Sequence, residues 1–242
     1  MLFNSLEFLL LFLPVVLLGF GVLQKVGRGK VSLAWLCLAS LFFYGWWNPA
    51  YLLLILVSML VNFGLGQRLA TMQSVPGRRL LIVGIVFNLG LLGYFKYFNF
   101  FIDNINLALD TGFNFQTIIL PLAISFYTFQ QITYLVDSQK GLTAPHSALE
   151  YALFVTFFPQ LIAGPIVHHS DMLDQFRRLQ NAPLLQRNLA IGFSIMAIGL
   201  FKKVVIADGF AHFAIPVYDN AATGLNSLDI FVGIFAYSFQ LY

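Results

Sequence analysis

His169-x4-Asp174 is the first pairing in this chain that could do chemistry. A histidine can take a proton from a hydroxyl as a general base, and a nearby carboxylate can orient its ring. One short spacing is a weak signal, and no phosphate-binding motif follows it. The spacing therefore assigns no catalytic role, and a polar loop is the better reading. His168 and His169 are adjacent, but no cysteine or third histidine nearby completes a ligand set, so no metal is expected. His146 and His212 stand alone and read as interfacial. There is no G-x-S-x-G, no G-x-x-x-x-G-K-[ST] and no G-x-G-x-x-G. Cys37, the only cysteine, reads as inert packing.

Other polar residues interrupt apolar runs. Gln130, Gln131, Thr133 and Tyr134 fall within one such run. They could line a substrate path or bond neighbouring helices, and the second reading is favoured. Lys202 and Lys203 precede Asp208 by six and five residues, a spacing at which a charge pair can form near an interface. Facing an anionic donor group is the sharper but less favoured role. Pro159 and Pro165 break the apolar stretch Tyr151–Ser170. Irregular backbone at membrane depth is tolerated only where protein shields it or where it lines a wet cavity. This stretch is the most site-like part of the chain.

The elements that hold these residues follow from composition. Of 242 residues, 59% are hydrophobic and 10% charged, and the mean hydropathy is +0.82. Soluble domains carry about 25% charged residues, so this chain cannot make a soluble surface. With 27 Phe, 10 Tyr and 3 Trp it is not disordered. The net charge of +3 is scattered over small loop clusters and points to no nucleic acid. The chain reads as an all-α polytopic membrane protein. Uncharged runs predict membrane segments at Phe8–Gln24, Val31–Gln67, Leu80–Phe95, Thr111–Val136, Tyr151–Ser170, Asn188–Phe201 and from Ile230 onward. Val31–Gln67 would be roughly 55 Å as one helix, too long for a hydrocarbon core of about 30 Å. It must turn at Asn48-Pro49, giving helices Val31–Trp47 and Ala50–Gln67 with Tyr44, Trp46, Trp47 and Tyr51 as an interfacial belt.

Basic loops set the orientation. Lys25, Arg28 and Lys30 lie in one loop, and Arg68, Arg78 and Arg79 in another. Both belong in the cytoplasm by the positive-inside rule, which puts the Asn48-Pro49 turn and the N-terminus outside. The first segment has no basic n-region and no A-x-A site, so it reads as a retained helix rather than a signal peptide. The fifth helix is expected near Ile118–Val136, and Tyr151–Ser170 as a re-entrant segment.

Longer blocks carry more. They are Leu2–Leu9, Phe43-Tyr44-Gly45-Trp46-Trp47-Asn48-Pro49, Tyr94–Phe101, Leu120–Gln130, Phe157-Phe158-Pro159-Gln160-Leu161-Ile162-Ala163-Gly164-Pro165-Ile166 and Gly199–Asp208. In this order the chain resembles the membrane-bound O-acyltransferase (MBOAT) family, in its bacterial alginate O-acetyltransferase (AlgI-type) branch, related to the D-alanyl transferase DltB. The resemblance implies a helical ring with re-entrant segments in a bacterial inner membrane. The chain would be the N-terminal portion, with about 6–8 membrane segments, of one such transmembrane domain, incomplete at the C-terminus. It implies transfer of an acyl group, usually acetyl, from acetyl-CoA or an acyl-carrier thioester to a hydroxyl of an extracytoplasmic polysaccharide such as alginate. Periplasmic or membrane partner proteins are implied with it, and no bound cofactor.

The family's essential histidine lies beyond the residues matched here, so the resemblance expects it after residue 242 and expects this portion alone to be inactive. Gln130, Pro159, Gln160, Gly164, Pro165, Lys202 and Lys203 become positions expected to shape the backbone or the substrate path. A transporter or flippase, and a non-catalytic membrane scaffold, are the alternative readings. Transporter folds commonly carry internal repeats, and none is visible here.

Overall fold

A computed structural model describes residues 1–27, 29–72, 75–113, 115, 117–143, 146–164, 169–181, 186–219 and 226–241. Arg28, Pro165 and His168 lie outside the described residues. The described elements are all helical. In chain order they are a π-helical segment π1 (Glu7–Phe12), α1 (Leu13–Lys25), α2 (Gly29–Trp47), α3 (Ala50–Thr71), α4 (Val75–Leu92), π2 (Gly93–Tyr97), α5 (Phe98–Leu109) and α6 (Ile124–Gln139). Then come α7 (Ala148–Thr156), α8 (Phe158–Ala163), α9 (His169–Asn181), α10 (Gln186–Phe201), π3 (Lys202–Ala207), α11 (Asp208–Asp219) and α12 (Ser227–Leu241). Among the described residues, five helices are long and apolar enough to cross a membrane.

The chain divides into two compact units. The larger, Val15–Pro183, packs α2, α3, α4 and α6 to α9 around one core. Asn48-Pro49 makes the expected turn. The Asn48 side chain accepts from the Ala50 N–H at 3.0 Å, and α3 starts at once. Helix approach is close where glycine permits it. A Cβ on Gly66 of α3 would lie 2.2–2.4 Å from the Tyr134 ring of α6. The Trp35 indole reaches across from α2 to donate to the Val16 carbonyl at 3.0 Å.

The other unit comprises Leu2–Pro14 and Leu184–Tyr242. Within it α11 and α12 pack tightly, with Phe210 stacked on Phe239 at 4.9 Å and Gly233 against Val217. Helix α10 buries no residue.

Three expectations are corrected. The fifth helix begins at Ile124, not near Ile118. Pro121 cannot continue a helix ladder, and Asn99 holds Ile118 by both its backbone groups, at 2.8 and 3.1 Å. The fourth helix does not stop at Phe95 but runs on through π2 into α5. The helix expected to end at Phe201 likewise continues through π3 to Asp219. In both, lysines sit on a π turn within a helix instead of marking its end.

Candidate functional site

The inward face of α6 sets the site. Tyr127, Gln131, Tyr134 and Ser138 recur at helical spacing, so they share one face. All four are buried, and so is Gln130. Helix α3 brings Ser58 and Asn62 to this face, and α4 brings Asn88. Ser58 donates to Gln131 Oε1 at 2.8 Å, and Asn62 Nδ2 also donates to that oxygen. Asn62 and Asn88 exchange amide bonds at 2.6 and 3.2 Å, and Asn88 donates onward to the Gly84 carbonyl at 2.8 Å. Such interhelical bonds contribute about 0.6 kcal/mol each on average in apolar bundles. They fix the rotation and register of three helices. Gln131 thus takes the interhelical role, and Thr133 bonds its own helix at the Gln130 carbonyl, 2.8 Å away. Gln130 Oε1 and Gln131 Nε2 are buried without a hydrogen-bond partner among the described residues.

Toward the C-terminal end of α6 the polar face meets an aromatic–histidine cluster. The Tyr134 hydroxyl and His146 Nε2 are 3.1 Å apart. The Tyr151 and Tyr134 rings lie 4.6 Å apart, and the His169 ring lies 4.7 Å from His146, 5.0 Å from Tyr134 and edge-on to Phe154 at 5.0 Å. Beneath it Ser147 and Glu150 form a reciprocal capping box that starts α7. The Glu150 carboxylate accepts from the Ser147 N–H at 2.7 Å and from Arg177 Nε at 3.2 Å, which ties α7 to α9.

His169 opens α9, a polar helix apart from the apolar spans. Its side chain is 1% exposed, and neither ring nitrogen has a hydrogen-bond partner among the described residues. Burial first, then His146 and Arg177, hold its pKa down to about 4 against the opposing pull of Glu150. The ring is therefore neutral at pH 7 and can offer one donor and one acceptor. Burial works against the Glu150 carboxylate, but bonds from Ser147 and Arg177 outweigh it and hold its pKa below the usual value.

The interrupted segment lies against α2. Phe157 leaves helical geometry at φ −50°, ψ 105°, which ends α7. Pro159 sits in the first turn of α8, where no N–H is required of it. The Phe158 N–H, freed by the break, donates to Ser40 Oγ at 3.3 Å. Phe158 packs on Phe43 at 5.4 Å. The break is thus shielded by protein, as an irregular stretch in an apolar bundle requires. Gln160 is buried beside it. At Gly164 a Cβ would lie 2.7 Å from Gln160 Cα and 2.9 Å from its carbonyl oxygen, so only glycine closes this turn without moving backbone.

Gln130, Pro159, Gln160 and Gly164 therefore belong to one unit, while Lys202 and Lys203 belong to the other. Lys203 pairs with Asp208. A π turn bonds residue i to i+5, so π3 supplies the geometry that this five-residue spacing needs. Pro165 lies outside the described residues.

The sequence reading missed the partners. Asn62 and Asn88 carry the signal of amides inside uncharged runs, which is costly unless satisfied. Ser147-x-x-Glu150 is a capping-box pattern. His169, read as a loop residue, is buried at a helix start. Among the described residues no group of three or more His, Cys, Asp or Glu comes together.

Residues 138–219 match the model of the membrane-bound O-acyltransferase family. The whole chain is 45% identical to a peptidoglycan O-acetyltransferase of Helicobacter pylori, covering 51% of that protein. It is 39% identical to the probable alginate O-acetylase AlgI of Pseudomonas aeruginosa and 36% identical to that of Pseudomonas syringae pv. tomato, covering 46% of each. The chain spans about half the length of the curated relatives it matches. No solved structure matches it. The resemblance read from the sequence blocks is thus borne out along the entire chain.

Proposed function

We propose that this chain, as a portion of a membrane-bound O-acyltransferase, forms part of the scaffold and substrate path of an enzyme that moves acetyl groups across a bacterial inner membrane. The observation that carries this reading is identity of 45% and 39%, over the full chain, to two kinds of O-acetyltransferase. The donor is a cytoplasmic thioester, acetyl-CoA or an acyl-carrier thioester. The acceptor is a hydroxyl of an extracytoplasmic polysaccharide, presented with periplasmic or membrane partner proteins. In the reaction the hydroxyl oxygen bonds to the acyl carbon, the carbon–sulfur bond breaks, and the hydroxyl proton ends on the departing thiol.

The chain's own residues serve this chemistry by position. The Ser58–Asn62–Asn88–Gln131 network locks three helices in register. The α7–α8 break turns the chain within an apolar bundle, with Ser40 holding its freed N–H. The Glu150–Arg177 pair holds α9 to α7. In the orientation expected from the basic loops, the His146–His169 end of α6 faces the cytoplasm, the side from which a thioester would arrive.

No residue of this chain is assigned as the base, which separates this reading from one based on His169-x4-Asp174. In the full-length protein the double variant His168→Ala, His169→Ala, at equal membrane abundance, should retain acetyl transfer from labelled acetyl-CoA within about tenfold, a general base being worth about 10²–10⁴. Loss of a thousandfold or more would move the base to this pair.

A further inference from the structure

Helix α1 packs one face on the larger unit and leaves the other uncovered. Val16 and Phe20 are buried, the Trp35 indole of α2 bonds the Val16 carbonyl, and a Cβ on Gly19 would lie 2.6 Å from that indole ring. On the opposite side Val15, Leu18 and Val22 are exposed, and Val26 extends them just past the helix. Steps of three and four residues place them in one apolar stripe. Lys25, three residues after Val22, ends that stripe, and Lys30 follows at the start of α2; both are exposed.

A third cation comes from α9. The Gln24 amide donates to the Leu179 carbonyl, which brings Arg178 to the same junction as Lys25. Met172, Leu173 and Phe176 are the buried face of α9, and Arg178 lies on its exposed face. Asp171 and Asp174 share the exposed face but sit about 10 and 6 Å back toward the start of the helix. Among the described residues no ion pair neutralises Lys25, Lys30 or Arg178.

Cations at the end of an apolar stripe match one kind of partner. An anionic phospholipid carries a phosphodiester and then acyl chains, in the same order. Lys and Arg at the end of a membrane span attract anionic headgroups, while their own methylenes stay with the chains. A soluble phosphate would meet the cations and leave the stripe bare. A neutral lipid would cover the stripe and leave the cations unanswered.

We propose that the junction of α1, α2 and α9 binds one anionic phospholipid, with its phosphodiester among Lys25, Lys30 and Arg178 and an acyl chain along Val15, Leu18 and Val22. The headgroup then joins α9 to α1 beside the Gln24–Leu179 bond. This inference does not depend on the acyltransferase reading.

The test uses the full-length protein in phosphatidylcholine nanodiscs containing a trace of phosphatidylglycerol with a photoactivatable diazirine on its acyl chain. Peptide mapping after illumination reads the label on residues 15–26. Labelling should exceed that from a phosphatidylcholine probe with the same chain at least fivefold. The triple variant Lys25→Gln, Lys30→Gln, Arg178→Gln should fall to the phosphatidylcholine level at unchanged unfolding temperature, since all three side chains are exposed. A second triple variant, Arg68→Gln, Arg78→Gln, Arg79→Gln, removes cations from another loop and should stay within twofold of wild type. Equal labelling by the two probes, or wild-type labelling in the first variant, would overturn the site. So would an equal loss in the second variant, which would reduce the effect to the diffuse attraction of a basic membrane face. Displacement of the lipid probe by inorganic pyrophosphate at constant ionic strength would assign the cations to a soluble phosphate ligand and overturn the lipid.

Discussion

Tyr134 meets His146, Tyr151 and His169, and its position depends on an atom that is absent. The Gly66 Cα faces its ring so closely that a methyl group would occupy the ring's own space. Gly→Ala in a helix ordinarily stabilises by about 1 kcal/mol. Here overpacking of about 1–3 kcal/mol outweighs that gain. Gly66→Ala is therefore expected to lower the thermal unfolding temperature and to displace Tyr134 from His146, and detergent-solubilised protein suffices for the measurement.

His169 gives a pH dependence with a definite sign. Its folded pKa is depressed to about 4 by burial, then by His146 and Arg177, while an unfolded histidine titrates near 6.5. The unfolded chain thus binds the proton first. This contribution is present in full above about pH 6.5 and is lost as pH falls from there toward about 4. Hydrogen exchange in α9 should accelerate over that window, and His169→Phe should flatten the response. Glu150, also depressed, adds its loss only at lower pH. The type of His169 was legible in the sequence, but its surroundings were not. Tyr134, His146, Tyr151 and Phe154 come from three other segments, and no local spacing reveals that they converge.

At the scale of elements, the legible features were those written in local sequence. Asn48-Pro49 marked a turn, and the Pro159 region marked a break; both are present. The start of α6 was misread because Ile118–Leu122 is as apolar as a helix, whereas Asn99, nineteen residues before Ile118, bonds both of its backbone groups and keeps it out of the helix. The π segments were not legible at all. A π turn adds a residue within a helix, and apolar periodicity over one turn does not register it. In π3 this turn pairs Lys203 with Asp208. Both side chains are about half exposed, so the pair contributes about 0–1 kcal/mol in water. Its larger effect is to neutralise a charge within a long apolar helix. Asp208→Asn should therefore change Tm by no more than a few degrees in detergent while reducing stable insertion of the full-length protein in membranes, as read by alkaline extraction.

At the scale of the molecule, composition alone indicated helices in a bilayer, and the blocks in chain order indicated the family. Two compact units were not foreseen, because contacts between distant segments decide them. Among the described residues, the buried polar ones all lie in the larger unit, on α6 and on the helices that pack with it, while exposed apolar side chains cover α10 and much of α12. A helix with no buried residue cannot be held by tertiary packing, so lipid or further protein must cover it.

In the proposed function the full-length protein moves an acyl group from a thioester on the cytoplasmic side to a hydroxyl on the other. Sidedness tests it most directly. Inverted inner-membrane vesicles display the cytoplasmic face, so externally added acetyl-labelled thioester should lose its label to polysaccharide enclosed in their lumen. Right-side-out vesicles given the same donor outside should show no transfer until it is loaded within. Transfer at equal rates in both orientations, or label left entirely on the donor side, would contradict the account.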